Sequence, residues 1–389
     1  MRAVRGVLAG DPPPDPRRFA LLDLGFRPFY LLAGAYAALA VPLWALVYAG
    51  AVGPANPLWH AHEMLYGYTF AVIAGFLFTA VRNWTGRATP RGRALGAIVA
   101  LWIAGRVVAP LSLPTAALFD LLFAAALAWG IGRPLVASGH RRNYFLIPLV
   151  LALGGAGALL RARPAATLAI GLDLVLLLMA VMAGRVVPVF TNNAVAGANA
   201  RRVPALERAA LGSALGLAAL DALALAGSPA PGAAAALALF GAAAHGVRLA
   251  LWAPLAARGR PILWILHLSY AWIVVHLALR GLAGFGLARP ELATHALAVG
   301  AIGGLTLGMM TRTARGHTAR ELRASPPEVA AYALVQLAAA VRVLLPLAAP
   351  QAYPGAVLAS ALLWTAAFTL FTIVFLPILT RPRLDGAPG

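Results

Sequence analysis

The densest run of side chains able to do chemistry in this chain is Trp59-His60-Ala61-His62-Glu63-Met64. Imidazoles and carboxylates are ligands for transition metals, and imidazole also ligates haem iron. These groups open a long apolar segment. An ionisable residue inside a membrane span costs roughly 2–3 kcal/mol to insert at the helix centre and marks a functional position by default. On a helix, His60 and His62 point about 200° apart. Either the helix begins at His62 or the two histidines serve different partners. Three readings stay open: an interfacial pair reaching water beside Trp59, a haem or copper ligand, and a proton relay without metal.

Cysteine is absent, which excludes disulfides, thiolate haem ligation, Cys-ligated clusters and the covalent attachment of c-type haem. A metal or haem must hang on His, Met, Tyr or a carboxylate. Of the 389 residues, 61% are hydrophobic and only 11% charged, against about 25% charged in soluble domains. Mean hydropathy is +0.82. The fold class is therefore all-α, a polytopic transmembrane bundle. The net charge of +19 reflects the excess of Arg in cytoplasmic loops of membrane proteins and not a nucleic-acid partner; every basic residue is Arg, in keeping with codon bias.

Apolar runs of about 20 residues, the length that crosses a bilayer core, fall at 29–50, 59–81, 94–111, 113–132, 144–160, 166–189, 206–227, 231–251, 262–283, 291–311, 328–349 and 354–379. About twelve helices thus fill a single domain, 29–380, between cytoplasmic tails at 1–28 and 381–389. The first 28 residues contain Asp11-Pro12-Pro13-Pro14-Asp15-Pro16 and no apolar core like that of a signal peptide. The arginines test the count, because a missed span would invert every later loop. With both termini cytoplasmic, only Arg161, Arg163, Arg280 and Arg289 fall in outer loops, and Arg106, Arg185 and Arg342 fall inside spans. No internal repeat is clear.

This topology puts His60, His62 and Glu63 at the outer end of the second span and His295 at the outer end of the tenth, where the four can converge. His276 lies in the outer half of the ninth span. His245 and His267 lie toward the cytoplasm, His317 just past the inner end of the tenth span, and His140 in a basic loop. The nine residues between His267 and His276 separate them by about 13 Å and half a turn, so they cannot share a metal. Gly300, Gly304 and Gly308 form one smooth stripe, matched by Gly67, Ala71 and Gly75 on the second span. Such stripes mean close helix packing, here of the two spans on each other, or a flat wall for a porphyrin. Met309 and Met310 read as filler. Asp120, Asp173 and Asp221 share the outer half with Arg106 and Arg342, as structural charge pairs or as a proton path. Arg82, Arg312, Arg315 and Arg320 anchor the inner ends, and one or two of them could clamp haem propionates, since guanidinium matches carboxylate.

Phe26-Arg27-Pro28-Phe29-Tyr30, the Trp59–Met64 run, Asn83-Trp84-Thr85-Gly86, Gly184-Arg185-Val186-Val187-Pro188, and His295 through Gly316-His317-Thr318 together resemble the NnrS family over nearly the whole chain. The resemblance implies a bacterial inner-membrane protein of twelve helices carrying haem and copper, tied to denitrification and defence against nitric oxide. It carries over His60, His62, Glu63, His267, His295 and His317 as site candidates; His245 and His276 match no motif of it. The expectation is one or two haem b groups, with copper as a further candidate, in a protein that binds nitric oxide and reduces it. His62 and His295 are then outer ligands, His267 and His317 inner ones, and His60 a second-metal ligand. Glu63 is the catalytic proton carrier, and Arg312 and Arg315 hold the cofactor. Two rivals stand beside this reading: a nitric oxide scavenger or sensor without turnover, and a secondary transporter, which twelve helices with Pro and Gly interruptions also suit.

Overall fold

The computed structural model describes residues 18–53 and 56–387; residues 1–17, which make up most of the expected amino-terminal tail, lie outside the described residues. In lipid an apolar run must hydrogen-bond its own backbone, which a helix does within one segment. Among the described residues there are twelve long helices and no strand. They are α1 (Phe26–Tyr48), α2 (Pro57–Thr85), α3 (Gly92–Val108), α4 (Leu113–Ala137), α5 (Leu146–Leu159) and α6 (Pro164–Ala194), followed by α7 (Pro204–Leu225), α8 (Pro231–Leu251), α9 (Pro261–Gly284), α10 (Pro290–His317), α11 (Pro326–Ala348) and α12 (Tyr353–Thr380). Each coincides with one expected span. Eleven, with α5 extended back through the short turn from Arg141 and α12 through that from Pro350, are long and apolar enough to cross a membrane, so the chain is a multi-pass membrane protein. The other, α3, has 17 residues, about 26 Å at 1.5 Å per residue.

The helix starts are written in the sequence. Proline in the first turn, where a missing N–H costs nothing, opens α2, α6, α7, α8, α9, α10 and α11. Asn56 caps α2 by accepting from the N–H groups of Leu58 and Trp59 at 3.1 and 3.2 Å. Ser325 and Glu328 form a capping box on α11. Burial separates inner from outer helices: 89% of the most apolar stretch of α2 is enclosed, against 22% for α7. Peripheral helices expose Leu39, Leu118, Phe240 and Leu362, as lipid-facing surfaces do.

The segments before α1 and after α12 meet at the face where α2 and α10 end. The Ala20 N–H donates to the Thr380 carbonyl at 2.8 Å and the Leu384 N–H to that of Thr318 at 3.2 Å. Arg27, buried in the first turn of α1, donates to the carbonyls of Leu379 and Arg381 at 3.1 and 2.6 Å. Both ends of the described chain thus share one face, opposite the face that holds His60 and His295.

Helices α2 and α10 are built alike. Each runs from its proline through one α-helical turn to a histidine, His62 or His295, and then passes into a π-helix, Glu63–Thr69 or Ala296–Gly303, before resuming α geometry. Laid side by side without a gap, they match Gly67 with Gly300, Gly75 with Gly308, Arg82 with Arg315, and Thr85 with Thr318. Both exit through a left-handed residue, Gly86 at φ 65° and Ala319 at φ 59°. The sequence read alone shows no clear repeat, and this local one emerges only once the two π-turns are aligned. Single-turn π segments inside α-helices frequently mark functional sites.

Candidate functional site

A cavity of about 620 Å³ opens between α1, α2, α6, α10, α11 and α12, within the ~300–1,000 Å³ common for cofactor pockets. Its walls are largely apolar and aromatic, with Trp44 from α1, Met64 and Tyr68 from α2, Val299 from α10, and Trp364 from α12. Two imidazoles face it. His60 stacks on Trp44 with ring centroids 4.8 Å apart and planes 15° apart; its Nδ1 is buried without a partner, which leaves Nε2 as the open nitrogen. His295 donates from Nδ1 to the Glu291 carbonyl at 2.7 Å, which fixes the tautomer and turns Nε2 toward the cavity. A backbone carbonyl holding the far nitrogen is the usual support of a ligating histidine. Arg342 reaches the same space from α11, its Nη2 being 3.3 Å from His295 Nε2 and 3.0 Å from the Tyr353 hydroxyl.

His62 points the other way, as the two-residue spacing requires. It is 1% exposed, with Nδ1 2.6 Å from Glu63 Oε1 and Nε2 2.9 Å from Asp120 Oδ2, the latter too oblique for a full hydrogen bond. Arg106 closes the cluster by donating to Asp120 Oδ1 at 2.5 Å and lying 3.5 Å from Glu63 Oε2; the Tyr36 hydroxyl donates to Glu63 Oε2. Gly67 leaves room for this cluster, since a Cβ would stand 2.8 Å from Arg106 Nη1 and 2.9 Å from the Tyr36 ring, and one of them would have to shift. The π-turn begins just after His62. Trp102 Nε1 donates to the Gly67 carbonyl at 3.0 Å and Thr69 Oγ1 to that of Met64 at 2.7 Å, satisfying acceptors within the widened turn. Of the four outer groups expected to converge, the structure brings His60 and His295 to one cavity and sets His62 and Glu63 behind its wall.

Asp173 and Asp221 share Arg280, at 2.6 and 2.8 Å. Arg280, expected in an outer loop, belongs to α9, and the outer acids divide into two ion clusters of ordinary charge-pair geometry. No described contact joins His267 to His317. His267 Nε2 meets Thr191 Oγ1 at 2.9 Å, whereas His317 packs on Phe26 and lies 3.4 Å from Asn83 Nδ2. The arginines expected to hold a cofactor are otherwise engaged. Arg315 forms a two-pronged pair with Glu328 at 2.7 and 2.5 Å, and Arg312 stacks 3.8 Å from the Phe190 ring centroid.

His245 is fully satisfied. Its Nε2 donates to the Ala210 carbonyl at 3.1 Å and its Nδ1 pairs with the Tyr270 hydroxyl at 2.5 Å, beside the Arg248–Glu207 ion pair. The glycine stripes are packing surfaces. A Cβ on Gly300 would strike Trp272 at 2.2 Å and one on Gly304 would meet Ser269 Oγ at 2.1 Å, so the α10 stripe faces α9, and neither α2 nor a porphyrin. Helices α2 and α10 meet instead through the Tyr68 and Thr306 hydroxyls at 2.5 Å.

Among the described residues no three His, Asp or Glu side chains converge on one metal position. Two imidazoles on an aromatic cavity, His60 and His295, suit a metal whose remaining ligands arrive with it, as the four ring nitrogens of a tetrapyrrole do; they do not make a cage for a bare copper ion. A comparison with curated proteins finds no match. The family model described as NnrS protein matches residues 20–383, which takes in the cavity, the ion clusters and all twelve helices. The chain belongs to the NnrS family.

Proposed function

We propose that this protein is a haem b protein of the bacterial inner membrane that binds nitric oxide in the cavity between α2 and α10 and reduces it, in nitrosative defence or denitrification. Membership of the NnrS family ties it to nitric oxide. The observation that carries the reading is the pair of imidazoles, His60 and His295, lining one apolar cavity, with Nδ1 of His295 already committed to a backbone carbonyl. Haem held by His60 or His295 would supply an iron for nitric oxide to coordinate and electrons for its reduction.

The chain's own groups hold, shield and supply protons. Trp44 fixes the plane of His60, and the Glu291 carbonyl fixes that of His295. The aromatic walls keep water out, which strengthens every polar contact within. Reduction of nitric oxide consumes protons, and Glu63 lies one residue before Met64 of the cavity wall. His62, with carboxylate oxygens of Glu63 and Asp120 on either side of its ring, stands beside Glu63 as a second group that could carry a proton.

Absorption spectra of the protein purified from haem-replete cells test the proposal. A Soret band is expected; its absence overturns the reading. His60→Ala and His295→Ala should lose or respin the haem, while His267→Ala and His317→Ala leave it in place, and equal spectra for all four variants sink the cavity assignment. Anaerobic nitric oxide uptake with an artificial electron donor should continue through many turnovers. Uptake that stops at one equivalent identifies a scavenger instead.

A further inference from the structure

We propose that Arg342 anchors a carboxylate carried by the ligand of the His60–His295 cavity, so that the site selects tetrapyrroles with free acid side chains over their neutral esters. The inference rests on the haem reading above and adds to it which chemical handle of the ring is recognised, and by which residue.

Arg342 is 6% exposed and its guanidinium lies on the cavity wall. One nitrogen, Nη2, serves the Tyr353 hydroxyl and His295 Nε2 at 3.0 and 3.3 Å. The other, Nη1, is buried with no hydrogen-bond partner. Arg106 is matched by Asp120, Arg248 by Glu207, Arg280 by Asp173 and Asp221, and Arg315 by Glu328, while Arg27 donates to backbone carbonyls, Arg185 to the Asn143 amide oxygen, and Arg312 lies over the Phe190 ring. Among the described residues no carboxylate lies within ion-pair distance of Arg342. The acid on the cavity wall, Glu291, is half exposed and lies 3.5 Å from Arg289 instead.

A buried cation without a counter-charge is costly, and an Arg fork matches a carboxylate in two-pronged geometry. A ligand carboxylate would supply both the missing charge and the acceptor for Nη1. The same movement serves the imidazole. Nδ1 of His295 is committed to the Glu291 carbonyl, so Nε2, its open nitrogen, now carries the Arg342 hydrogen bond. Drawing the guanidinium onto a carboxylate releases Nε2 toward the ring.

The test titrates full-length protein in detergent with haem b and with its dimethyl ester, in which both carboxylates are methylated, and reads affinity from absorbance. The wild type should bind the free acid at least about tenfold more tightly. Arg342→Gln should abolish the preference, so that the free acid and the ester bind with one affinity, and Arg342→Lys should recover part of the difference. Equal wild-type affinity for the two forms overturns the proposal, as does a variant that weakens both equally. Should Arg342→Gln fail to fold, the wild-type comparison decides alone. Binding of neither form removes the haem reading itself, an outcome distinct from equal binding of both.

Discussion

Two imidazoles two residues apart end in opposite surroundings, one on an aromatic cavity and one between carboxylates. The spacing made their divergence legible, but not which histidine faces inward to which partner, because Asp120 and Arg106 arrive from α4 and α3. Arg342 was visible only as an arginine inside a span; its missing counter-charge is a property of the packed bundle. His245 shows the converse, a buried histidine whose two hydrogen bonds leave it nothing further to do. A prediction separates the outer pair. His62→Ala should leave the Soret band of the cavity haem in place while lowering stability by about 3–5 kcal/mol, because it strands buried charges that now compensate one another. Thermal unfolding in detergent, followed beside the spectrum, reads both effects, and loss of the band with unchanged stability would return His62 to the ligand role.

At the scale of elements, the span positions were legible to within a few residues, because apolar length and first-turn prolines are local signals. The π-turns were not. They differ from α-helix by one hydrogen-bond register, which no residue pattern in Glu63–Thr69 or Ala296–Gly303 announces. The glycine stripes were legible as packing surfaces, but their partner was not, since the α10 stripe turns to Trp272 and Ser269 of α9. Register carries the site. Inserting one alanine after Leu65, a residue beyond what the π-turn already absorbs, should rotate His60 by about 100° relative to the rest of the helix. The expected result is loss of cavity haem by absorbance with helical circular dichroism retained. Haem retained at wild-type affinity would show that the π-turn does not aim His60.

At the scale of the whole molecule, polar groups are distributed unevenly between the two faces. The cavity, the Glu63 and Asp120 cluster, and the Asp173–Arg280–Asp221 cluster lie toward one face; most arginines and both ends of the described chain lie at the other. Basic loops remain cytoplasmic during insertion, so this asymmetry predicts a cavity that opens toward the outer side, where nitric oxide and protons would enter without crossing the arginine-rich face. The chain contains no cysteine, which makes the orientation directly measurable. Ser228 follows α7 on the cavity side and Ser138 follows α4 on the other, and both are exposed. In intact spheroplasts a membrane-impermeant thiol reagent should label Ser228→Cys and spare Ser138→Cys until the cells are lysed. The reverse pattern would turn the cavity toward the cytoplasm and require protons for nitric oxide reduction to be drawn from that side.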